Sequence, residues 1–395
     1  MLIGFVGKPS VGKSTFFKAV TLAEVEIASY PFTTIKPNHG VGYVKIDCLD
    51  KEFNTQCNPN HGFCINHKRF VPIDLMDVAG IVPGASEGKG LGNQFLDDLR
   101  QADVFVQVID ISGTTDEGGK PTENYDVSKD IIFLEEELDK WFLGILMKVW
   151  KSFARKAELE SDNFARAVAN QFSGLKVKEE QVKSALLKLN FPARPSTWNN
   201  EQLLEFASEL RKGSKPMIIA ANKIDMSQGK ENYDKLKKKF PNLIIIPCSA
   251  DSELALREAA KAGLIDYVAG ERTFEIKGKL NDKQKNALDK IKENILNKYE
   301  YGTGVQEVLN YAVFNLLKYL AIFPAGAHKL ADSKGRVLPD CFLLPPDSTA
   351  LDFAYFLHTD FGKNFLRAID ARTKRVLGKD HLLKNRDALE IVTSK

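Results

Sequence analysis

The residues best suited to chemistry lie near the start of the chain, in the stretch GKPSVGKS from Gly7 to Ser14. It satisfies the phosphate-loop pattern GxxxxGK followed by Ser or Thr. Its two glycines let the backbone turn and approach a ligand closely, so that successive N–H groups face anionic oxygens. Lys13 adds a point charge, and the Ser14 hydroxyl is suited to ligate Mg²⁺. The stretch therefore predicts a bound phosphate chain, against the alternative of a Gly-rich turn that binds nothing.

A second group of candidate residues comes from a loop and a strand end. The sequence YPFTT at Tyr30–Thr34 lies in a loop marked by two prolines, and a later strand ends in DVAG at Asp77–Gly80. A carboxylate at a strand end, followed by a flexible glycine, is what a Mg²⁺-facing acid and a γ-phosphate sensor require. In this order along the chain, the motifs predict that Asp77 faces the metal and that Gly80 senses the γ-phosphate.

A third group is suited to select a base. The sequence NKID at Asn222–Asp225 ends an apolar strand, and Ser249 and Ala250 follow the next strand. The Asp225 carboxylate can accept two hydrogen bonds, from guanine N1–H and N2–H₂, and adenine offers no such pair. We expect Asn222 to hold its loop and the base edge, the Lys223 stem to lie over the ring, and the Ala250 N–H to meet guanine O6.

These groups need a parallel sheet whose strands end at one edge. Apolar runs predict strands at Leu2–Val6, Val41–Ile46, Arg69–Met76, Val104–Ile109, Pro216–Ala221 and Leu243–Pro247, with a helix from Lys13 to Val20. About a hundred residues separate Asp110 from Pro216, where a crossover needs roughly a dozen. Because this stretch has helical periodicity, it predicts an inserted helical domain.

The rest of the chain is predicted to be helical beyond Asp251 and then to change to short strands and turns. We therefore predict an α/β fold with a mostly parallel sheet (residues 1–125 and 212–268), an inserted helical domain (126–211), a helical extension (269–322) and a small α+β domain (323–395). The helix Asp126–Glu160 has two interpretations. It is either a coiled-coil arm for a partner, or it packs Trp141, Phe142 and Trp150 against the other inserted helices.

Composition describes an ordinary globular protein. The 395 residues suffice for two or three domains, with 44% apolar and 27% charged residues. Five scattered cysteines are an odd number, which argues against a disulfide framework and for a reducing, cytoplasmic compartment. We expect no signal peptide, since an apolar strand begins at the second residue, and no membrane association, since no apolar run is long enough to span a bilayer.

Basic residues crowd the C-terminal end although the net charge of the chain is only +3. Eight basic residues against two acidic ones give a local charge of +6: Lys363, Arg367, Arg372, Lys374, Arg375, Lys379, Lys384 and Arg386. The cluster is either a solvated face or a surface for RNA. No aromatic run of the RNP type accompanies it, so contact would be mainly to phosphates. Nothing in the sequence indicates DNA specificity.

Four potential metal ligands lie between the second and third predicted strands: Cys57, His61, Cys64 and His67. Their composition fits a zinc site. Their spacings of three, two and two residues are tighter than a paired-knuckle pattern, which favours a plain polar hairpin instead. His358 has no acid or nucleophile arranged for it, and we expect it to be structural.

The ordered set GKPSVGKS, YPFTT, DVAG, NKID and CSA resembles the five guanine-site motifs of translation-factor-type GTPases. More narrowly, YPFTT, DVAG and the segment Gly84–Phe95 resemble the Obg family, closest to its YchF or Obg-like ATPase branch in an archaeal-like form. The segments Ala354–Phe361 and Phe365–Thr373 resemble the TGS domain that this family carries. The resemblance implies a P-loop GTPase domain with inserted helices, a β-grasp-like TGS domain, and contact with the ribosome or RNA.

The resemblance also implies roles for single residues. Thr33 to Pro37 would be switch I, Ser14 and Thr34 would ligate Mg²⁺, and Asp77 would hold the ion through water. Catalysis would involve Lys13, Thr34 and Gly80. The residues implied in nucleotide binding are Gly7, Lys8, Pro9, Ser10, Val11, Gly12, Lys13, Ser14, Thr15, Asn222, Lys223, Asp225, Ser249 and Ala250.

Three departures from the family pattern shape the expected activity. The YchF branch has lost NKxD and prefers ATP, whereas this chain keeps NKID, so we expect GTP as substrate. The resemblance implies that relatives with an asparagine in the phosphate loop use it to organise K⁺, and Ser10 stands there in this chain, which argues against K⁺ activation. Ile81 stands where Ras-like enzymes place a water-positioning glutamine, and an aliphatic side chain cannot orient water.

We therefore expect Mg²⁺-dependent GTP hydrolysis that is slow without a partner, about 10⁻⁴ to 10⁻² s⁻¹. Two alternatives stay open. The chain could be a nucleotide-gated binding module with negligible unassisted hydrolysis, or an ATPase as in the YchF branch.

Overall fold

The computed structural model describes residues 1–22, 38–78, 100–160, 163–192, 194–332 and 334–394. Thr33, Thr34, Gly80, Ile81 and the segment Gly84–Phe95, for which the sequence analysis made predictions, lie outside these residues. Within the described ranges, no helix has both the length and the apolar character that crossing a membrane requires.

A seven-stranded mixed sheet organises the N-terminal part of the chain. Its strands are β1 (Leu2–Val6), β2 (His39–Asp47), β3 (Phe63–Ile65), β4 (Lys68–Asp77), β5 (Val104–Asp110), β6 (Met217–Asn222) and β7 (Ile245–Pro247). The order is β2-β4-β1-β5-β6-β7, with β3 paired to β4. β2 and β3 run antiparallel to β4, and the other neighbours are parallel. All seven residues of β5 are buried, as expected for a parallel strand covered on both faces.

Helices cover this sheet and extend away from it. Those next to the sheet are Lys13–Thr21, Gly229–Lys239 and Ala250–Lys261, and the first of these packs against the last. The inserted helices are Ser128–Glu160, Phe164–Gln171, Glu179–Leu189 and Asn200–Ser214, with single turns at Ser173–Leu175 and Pro195–Thr197. A further turn at Leu49–Lys51 follows β2.

Aromatic side chains form the core of the inserted helices. Trp141, Phe142 and Trp150 of the long helix are all buried. Trp150 stacks on Trp198 with 5.6 Å between ring centroids, and Phe206 packs on both tryptophans. These contacts agree with the packing interpretation of the long helix, because its large apolar side chains are used inside the chain.

The chain between Asp251 and residue 319 differs from its prediction in one place. Helices span Asp282–Ile291 and Val305–Asn310, each continued by a wider turn, Lys292–Leu296 and Tyr311–Leu316. However, β8 (Ile265–Tyr267) and β9 (Phe274–Ile276) form an antiparallel pair where a helix was predicted. The prediction was wrong here because Gly263 and Gly270 adopt positive φ angles, 70° and 73°, which end the helix and make the turn.

A five-stranded sheet forms the C-terminal part. It comprises β10 (Leu320–Pro324), β11 (Phe342–Leu344), β12 (Phe365–Asp370), β13 (Val376–Leu377) and β14 (Ala388–Thr393) in the order β11-β10-β14-β12-β13. The helices Ala350–Leu357 and Thr359–Lys363 accompany it. Thr349 caps the first of them, as a Thr before an apolar helical run predicts. The α/β fold with inserted helices and a small C-terminal α+β domain is confirmed; the exact domain limits stay a prediction.

Candidate nucleotide site

The phosphate loop joins β1 to the helix Lys13–Thr21 and is closely approached from two sides. A side-chain carbon at Gly7 would clash with the carbonyl oxygen of Val108 in β5. One at Gly12, whose φ is +86°, would clash with the side-chain amide of Asn222. Both positions therefore require glycine, one for the fit against the sheet and the other for the fit against the NKID segment.

The helix after the loop offers its N-terminus to an anion. It has no acidic residue in its first turn, and no described side chain caps it. Its first N–H groups and the positive end of its dipole are thus directed at the loop without internal compensation. This is the arrangement that binds phosphate in P-loop proteins.

Lys13 and Asp77 meet at the edge of the sheet where the parallel strands end. The Lys13 ammonium donates to Oδ1 of Asp77, and the two side chains are only 12% and 19% exposed. The phosphate-loop motif singles out Lys13, and the DVAG motif singles out Asp77. These two residues are 64 positions apart in the sequence and are in contact in the fold. The Ser14 side chain lies exposed beside Lys13. A hydroxyl and a carboxylate are hard oxygen donors, so this donor set fits Mg²⁺.

Asn222 links the phosphate loop to the loop after β7. Its amide nitrogen donates to the Val11 carbonyl at 2.9 Å, and its amide oxygen accepts from the Ala250 N–H at 2.9 Å. The residue is buried, so both bonds are shielded from water. The predicted contact of Ala250 with guanine O6 stays a prediction, and it would have to share a donor that Asn222 already uses.

Lys223 and Asp225 of the NKID segment have different surroundings, since Lys223 contacts the phosphate loop and Asp225 faces the solvent. The Lys223 ammonium donates to the Ser10 carbonyl at 2.9 Å and to Oδ2 of Asp110 at 2.9 Å. Asp225 is exposed, as expected of a carboxylate that would read a ligand. Ser249 begins the helix Ala250–Lys261, and its hydroxyl accepts from the N–H of Ser252.

Comparison with known proteins identifies the family. A family model described as 50S ribosome-binding GTPase matches residues 2–142, one described as Obg-like GTPase YGR210-like, G4 motif-containing domain matches residues 220–326, and a TGS domain model matches residues 332–393. The chain is 48% identical over 396 residues to an uncharacterized GTP-binding protein of Methanocaldococcus jannaschii, covering 100% of this chain and 99% of the relative.

The chain belongs to the YchF/Obg-like family of GTP-binding proteins. It is 29% identical over 381 residues to the ribosome-binding ATPase YchF of Bacillus subtilis, which covers 92% of this chain and 87% of the relative. The crystal structure of a GTP binding protein from Pyrococcus horikoshii OT3 superposes with a TM-score of 0.77 at 41% identity, with 100% of both chains covered. The family resemblance drawn from the motifs, including the TGS domain, is confirmed.

Asp110 is a residue of this YchF/Obg-like site that the motifs did not reveal. It is buried at the end of β5, directly beside Asn222 in the sheet register. Oδ2 accepts from Lys223 and from the Thr115 hydroxyl, both at 2.9 Å. Burial raises the pKa of Asp110, but hydrogen bonds from Lys223 and neighbouring hydroxyls outweigh it and hold the pKa below its usual value. An acid that ends a strand beside the NKID strand was the available signal.

Lys8 is a second residue with side-chain contacts that the motifs did not reveal. Its side chain is buried. The ammonium pairs with Oδ2 of Asp130 at 2.9 Å, donates to the Thr115 carbonyl, and lies 4.0 Å from the Tyr125 ring centroid. Burial raises the pKa of Asp130, an effect that Lys8 opposes. Only the backbone of Lys8 is thus available to a nucleotide.

A buried polar network supports the loop after β7 from below. The Glu253 carboxylate accepts from Arg257 at 2.6 Å and from the Tyr267 hydroxyl at 2.8 Å. Arg257 also reaches the Leu22 carbonyl at the end of the first helix, and Lys18 of that helix pairs with Glu258 at 2.9 Å. The helix Ala250–Lys261, which follows β7, is therefore attached to the helix Lys13–Thr21, which follows the phosphate loop.

Proposed function

We propose that this protein is a Mg²⁺-dependent GTPase that hydrolyses GTP slowly by itself and alternates between GTP and GDP states. The observation that carries the proposal is Asn222, whose amide joins the phosphate loop to the loop after β7. A base bound beside Asp225 would thereby be held in a fixed relation to the phosphates.

The choice of GTP over ATP rests on Asp225. The relative from Bacillus subtilis is named an ATPase, so the nucleotide has to be argued from this chain's own residues. Here the NKID segment is complete, and Asp225 is exposed in the turn after β6. A carboxylate matches the two donors of guanine and meets no such pair on adenine, a difference worth several kcal/mol.

Phosphate chemistry would fall to Lys13, Ser14 and Asp77. Lys13 and the loop amides would stabilise charge on the phosphate oxygens. Ser14 and Asp77 would hold Mg²⁺, which supplies further charge neutralisation at the bound phosphates. Because Asp77 binds Lys13 in the described structure, the lysine would move to the phosphates while the carboxylate turns to the ion. Thr34 and Gly80 are assigned to the γ-phosphate and its metal by family resemblance.

A ribosomal or other RNA partner is the second part of the proposal. The Bacillus subtilis relative is named ribosome-binding, and this chain carries the TGS domain. Five basic side chains of the C-terminal cluster are exposed and form neither an ion pair nor a side-chain hydrogen bond with described residues: Lys363, Arg367, Arg375, Lys379 and Lys384. Exposed Tyr355, Phe356 and Phe361 lie on the same domain and could stack on bases. We propose a cytoplasmic location, consistent with the free cysteines.

Single-turnover hydrolysis of GTP, measured with and without ribosomes, tests the proposal. We expect about 10⁻⁴ to 10⁻² s⁻¹ for the protein alone, loss of turnover without Mg²⁺, and acceleration by ribosomes. If neither ribosomes nor K⁺ nor a cell-extract fraction accelerates the reaction, the GTPase cycle is wrong. Ribosome association that depends on bound GTP but proceeds without hydrolysis would favour the nucleotide-gated binding module instead.

A further inference from the structure

Four potential metal ligands converge in the hairpin that joins β2 to β4. They are Cys48, Asp50, Cys57 and Cys64, and their ligand atoms all lie within 4.8 Å of one another. The first two follow β2, the third comes from the loop, and Cys64 lies on β3. Three of the four are buried and Cys64 is partly buried. The first and last of these ligands, Cys48 and Cys64, are sixteen positions apart in the sequence. The fold thus brings three thiols and one carboxylate together in one pocket of the core.

The distances between these atoms suit a tetrahedral zinc ion. The sulfur atoms of Cys48 and Cys57 are 3.6 Å apart, and the Cys64 sulfur lies 3.8 Å from Oδ2 of Asp50. A zinc–sulfur bond of about 2.3 Å in tetrahedral geometry places neighbouring sulfur ligands about 3.8 Å apart. Three thiolates are soft ligands that select Zn²⁺ over Mg²⁺ or Ca²⁺.

The Asp50 carboxylate is held so that one oxygen faces the thiols. Oδ1 pairs with Nδ1 of His67 at 2.9 Å, and Oδ2 accepts from the Cys57 N–H at 3.2 Å. Asp50 is completely buried, whereas the His67 side chain is 43% exposed. This is the outer-shell arrangement that orients a metal-binding carboxylate in many proteins.

We propose that Cys48, Asp50, Cys57 and Cys64 bind a structural zinc ion, with His67 as a positioning residue that holds Asp50. The set differs from the one suggested by sequence spacing, because His61 contacts Asn60 and His67 contacts Asp50. The structure replaces these two histidines with Cys48 and Asp50, which stand upstream of the spacing pattern.

The proposed ion would fix the surface on which the TGS domain lies. The backbone N–H groups of Asn58 and Asn60, in the loop between the ligands, donate to the carbonyls of Val337 and Pro339 at 2.8 and 2.7 Å. The buried Arg69 guanidinium donates to the carbonyls of Leu338 and Pro339 at 3.1 and 2.8 Å. Closing this loop around a metal would therefore hold the C-terminal domain against the main sheet.

The site lies far from the nucleotide. The β2 and β4 ladder runs from the pair His39 and Met76, next to Asp77, to the pair Asp47 and Lys68, next to the cysteines. Eight steps of about 3.4 Å separate the two ends, roughly 27 Å. Failure of the zinc proposal would therefore leave the proposed GTPase function untouched, and the reverse also holds.

Metal analysis of the untagged full chain, produced in zinc-supplemented medium and purified with a reductant, tests this proposal. We expect about one zinc per chain by mass spectrometry of the metal, and recovery of that stoichiometry when Zn²⁺ is returned to chelator-treated protein. Replacement by Co²⁺ should give the intense visible bands of tetrahedral thiolate coordination. A wild-type chain that holds no zinc and takes up none after reduction overturns the proposal, as does a native disulfide between Cys48 and Cys57.

Variants locate the ion and separate binding from folding. Cys64→Ser changes a partly exposed ligand and should lose most of the zinc, while Cys248→Ala, a buried cysteine outside the cluster, should keep it. His67→Ala should weaken zinc affinity about 10- to 100-fold without abolishing the cobalt bands. Retention of full stoichiometry by both Cys64→Ser and Asp50→Asn would place the ion elsewhere and refute the assignment.

Discussion

At the scale of single residues, the NKID segment separates organisation from recognition. Asn222 is buried and uses both ends of its amide on backbone groups, at Val11 and Ala250. Lys223 spends its charge on Ser10 and Asp110. Asp225 is exposed. A change at Asn222 should therefore disturb the whole site, whereas a change at Asp225 should alter only what is bound.

Asp225→Asn is expected to remove most of the preference for GTP over ATP. The amide keeps the shape but offers one oxygen and two donors where guanine needs two acceptors, so GTP affinity should fall about 10²- to 10⁴-fold. Weak binding of ATP should change little. Competition titration with a fluorescent GDP analogue measures both constants.

Asp234→Asn is the matched control for this change, since Asp234 is exposed on the helix after NKID and, within the part of the chain that the structure describes, pairs only with Lys230, at 2.8 Å. It should bind GTP like the wild type. If wild-type protein already binds ATP as tightly as GTP, base selection by Asp225 is refuted.

At the scale of elements, the inserted helix Ser128–Glu160 is attached to the phosphate loop by a buried ion pair. Lys8 and Asp130 are 4% and 6% exposed, and their atoms lie 2.9 Å apart. Gln107 of β5 donates to the Asp130 carbonyl at 2.8 Å and fixes the start of the helix. The position of the inserted helix and the conformation of the loop are therefore coupled.

Removing the charge of one partner of this pair should lower the free energy of unfolding more than replacing both partners by apolar residues. Asp130→Asn leaves the Lys8 ammonium buried without a counter-charge and should lower the free energy of unfolding by about 3–5 kcal/mol. The double variant Lys8→Met with Asp130→Leu should recover much of that loss, because two packed apolar side chains need no compensation. Urea denaturation of the wild type, Lys8→Met, Asp130→Leu and their double variant completes a cycle that measures the coupling, and additive losses in the double variant would contradict it.

The junction between the inserted helices and β6 should respond to alkaline pH. Lys215 is fully buried, donates to the Arg100 and Ala102 carbonyls, and has its pKa lowered by burial to about 8 from 10.5. Between these values the unfolded chain holds more protons than the folded one, so stability rises with pH. The free energy of unfolding gains about 3 kcal/mol by pH 10.5. By then Lys215 is deprotonated in the folded chain, so no charged ammonium has to be kept buried.

Lys215→Met should remove this rise. Unfolding free energies at pH 7, 8, 9 and 10 measure the effect as the difference between wild type and variant, in which the titration of tyrosines and cysteines cancels. Lys212→Met is the matched control, since Lys212 is exposed in the last turn of the helix Asn200–Ser214, which ends just before Lys215, and pairs with Glu209. A difference in unfolding free energy between wild type and Lys215→Met that stays constant from pH 7 to 10 would show that burial does not lower the pKa of Lys215.

The elements and motif residues were within reach of the sequence, but the long-range pairs were not. Apolar runs locate the parallel strands because these strands are buried on both faces, and the motifs mark where they end. The bond between Lys13 and Asp77 follows from that arrangement. In contrast, Lys8 and Asp130 are residues of common types that no local pattern joins, and Cys48 and Asp50 stand outside the spacing that marks Cys57 and Cys64. The turn at Gly270 overrode helical composition for a related reason, because a single backbone angle decided it.

At the scale of the whole molecule, the basic C-terminal cluster divides into two sets. Arg372 and Arg386 both pair with Glu52 of the β2–β4 hairpin and thus hold the TGS domain against the main sheet. Lys374 is used inside its own domain, on the carbonyls of Ala327 and Ala371. The local charge of +6 therefore overstates what the cluster would present to the proposed RNA partner, because only five of its eight basic side chains are exposed without a partner among the described residues.

This division predicts which charges govern the salt dependence of the proposed ribosome binding. Each phosphate contact made by an exposed basic residue should contribute about 0.7 to 0.9 to the slope of log K against log salt concentration. The double variant Arg367→Gln with Arg375→Gln should lower that slope by up to about 1.8 and weaken binding to all ribosomal RNA alike.

Lys283→Gln with Lys285→Gln removes two exposed charges from the helix Asp282–Ile291, outside the TGS domain, and should leave the slope unchanged. Ribosome co-sedimentation across a series of KCl concentrations measures both, with folding checked by GDP affinity. Association that is equally strong at low and high salt, or a slope lost only in the second double variant, would mean that the TGS domain does not make the contact.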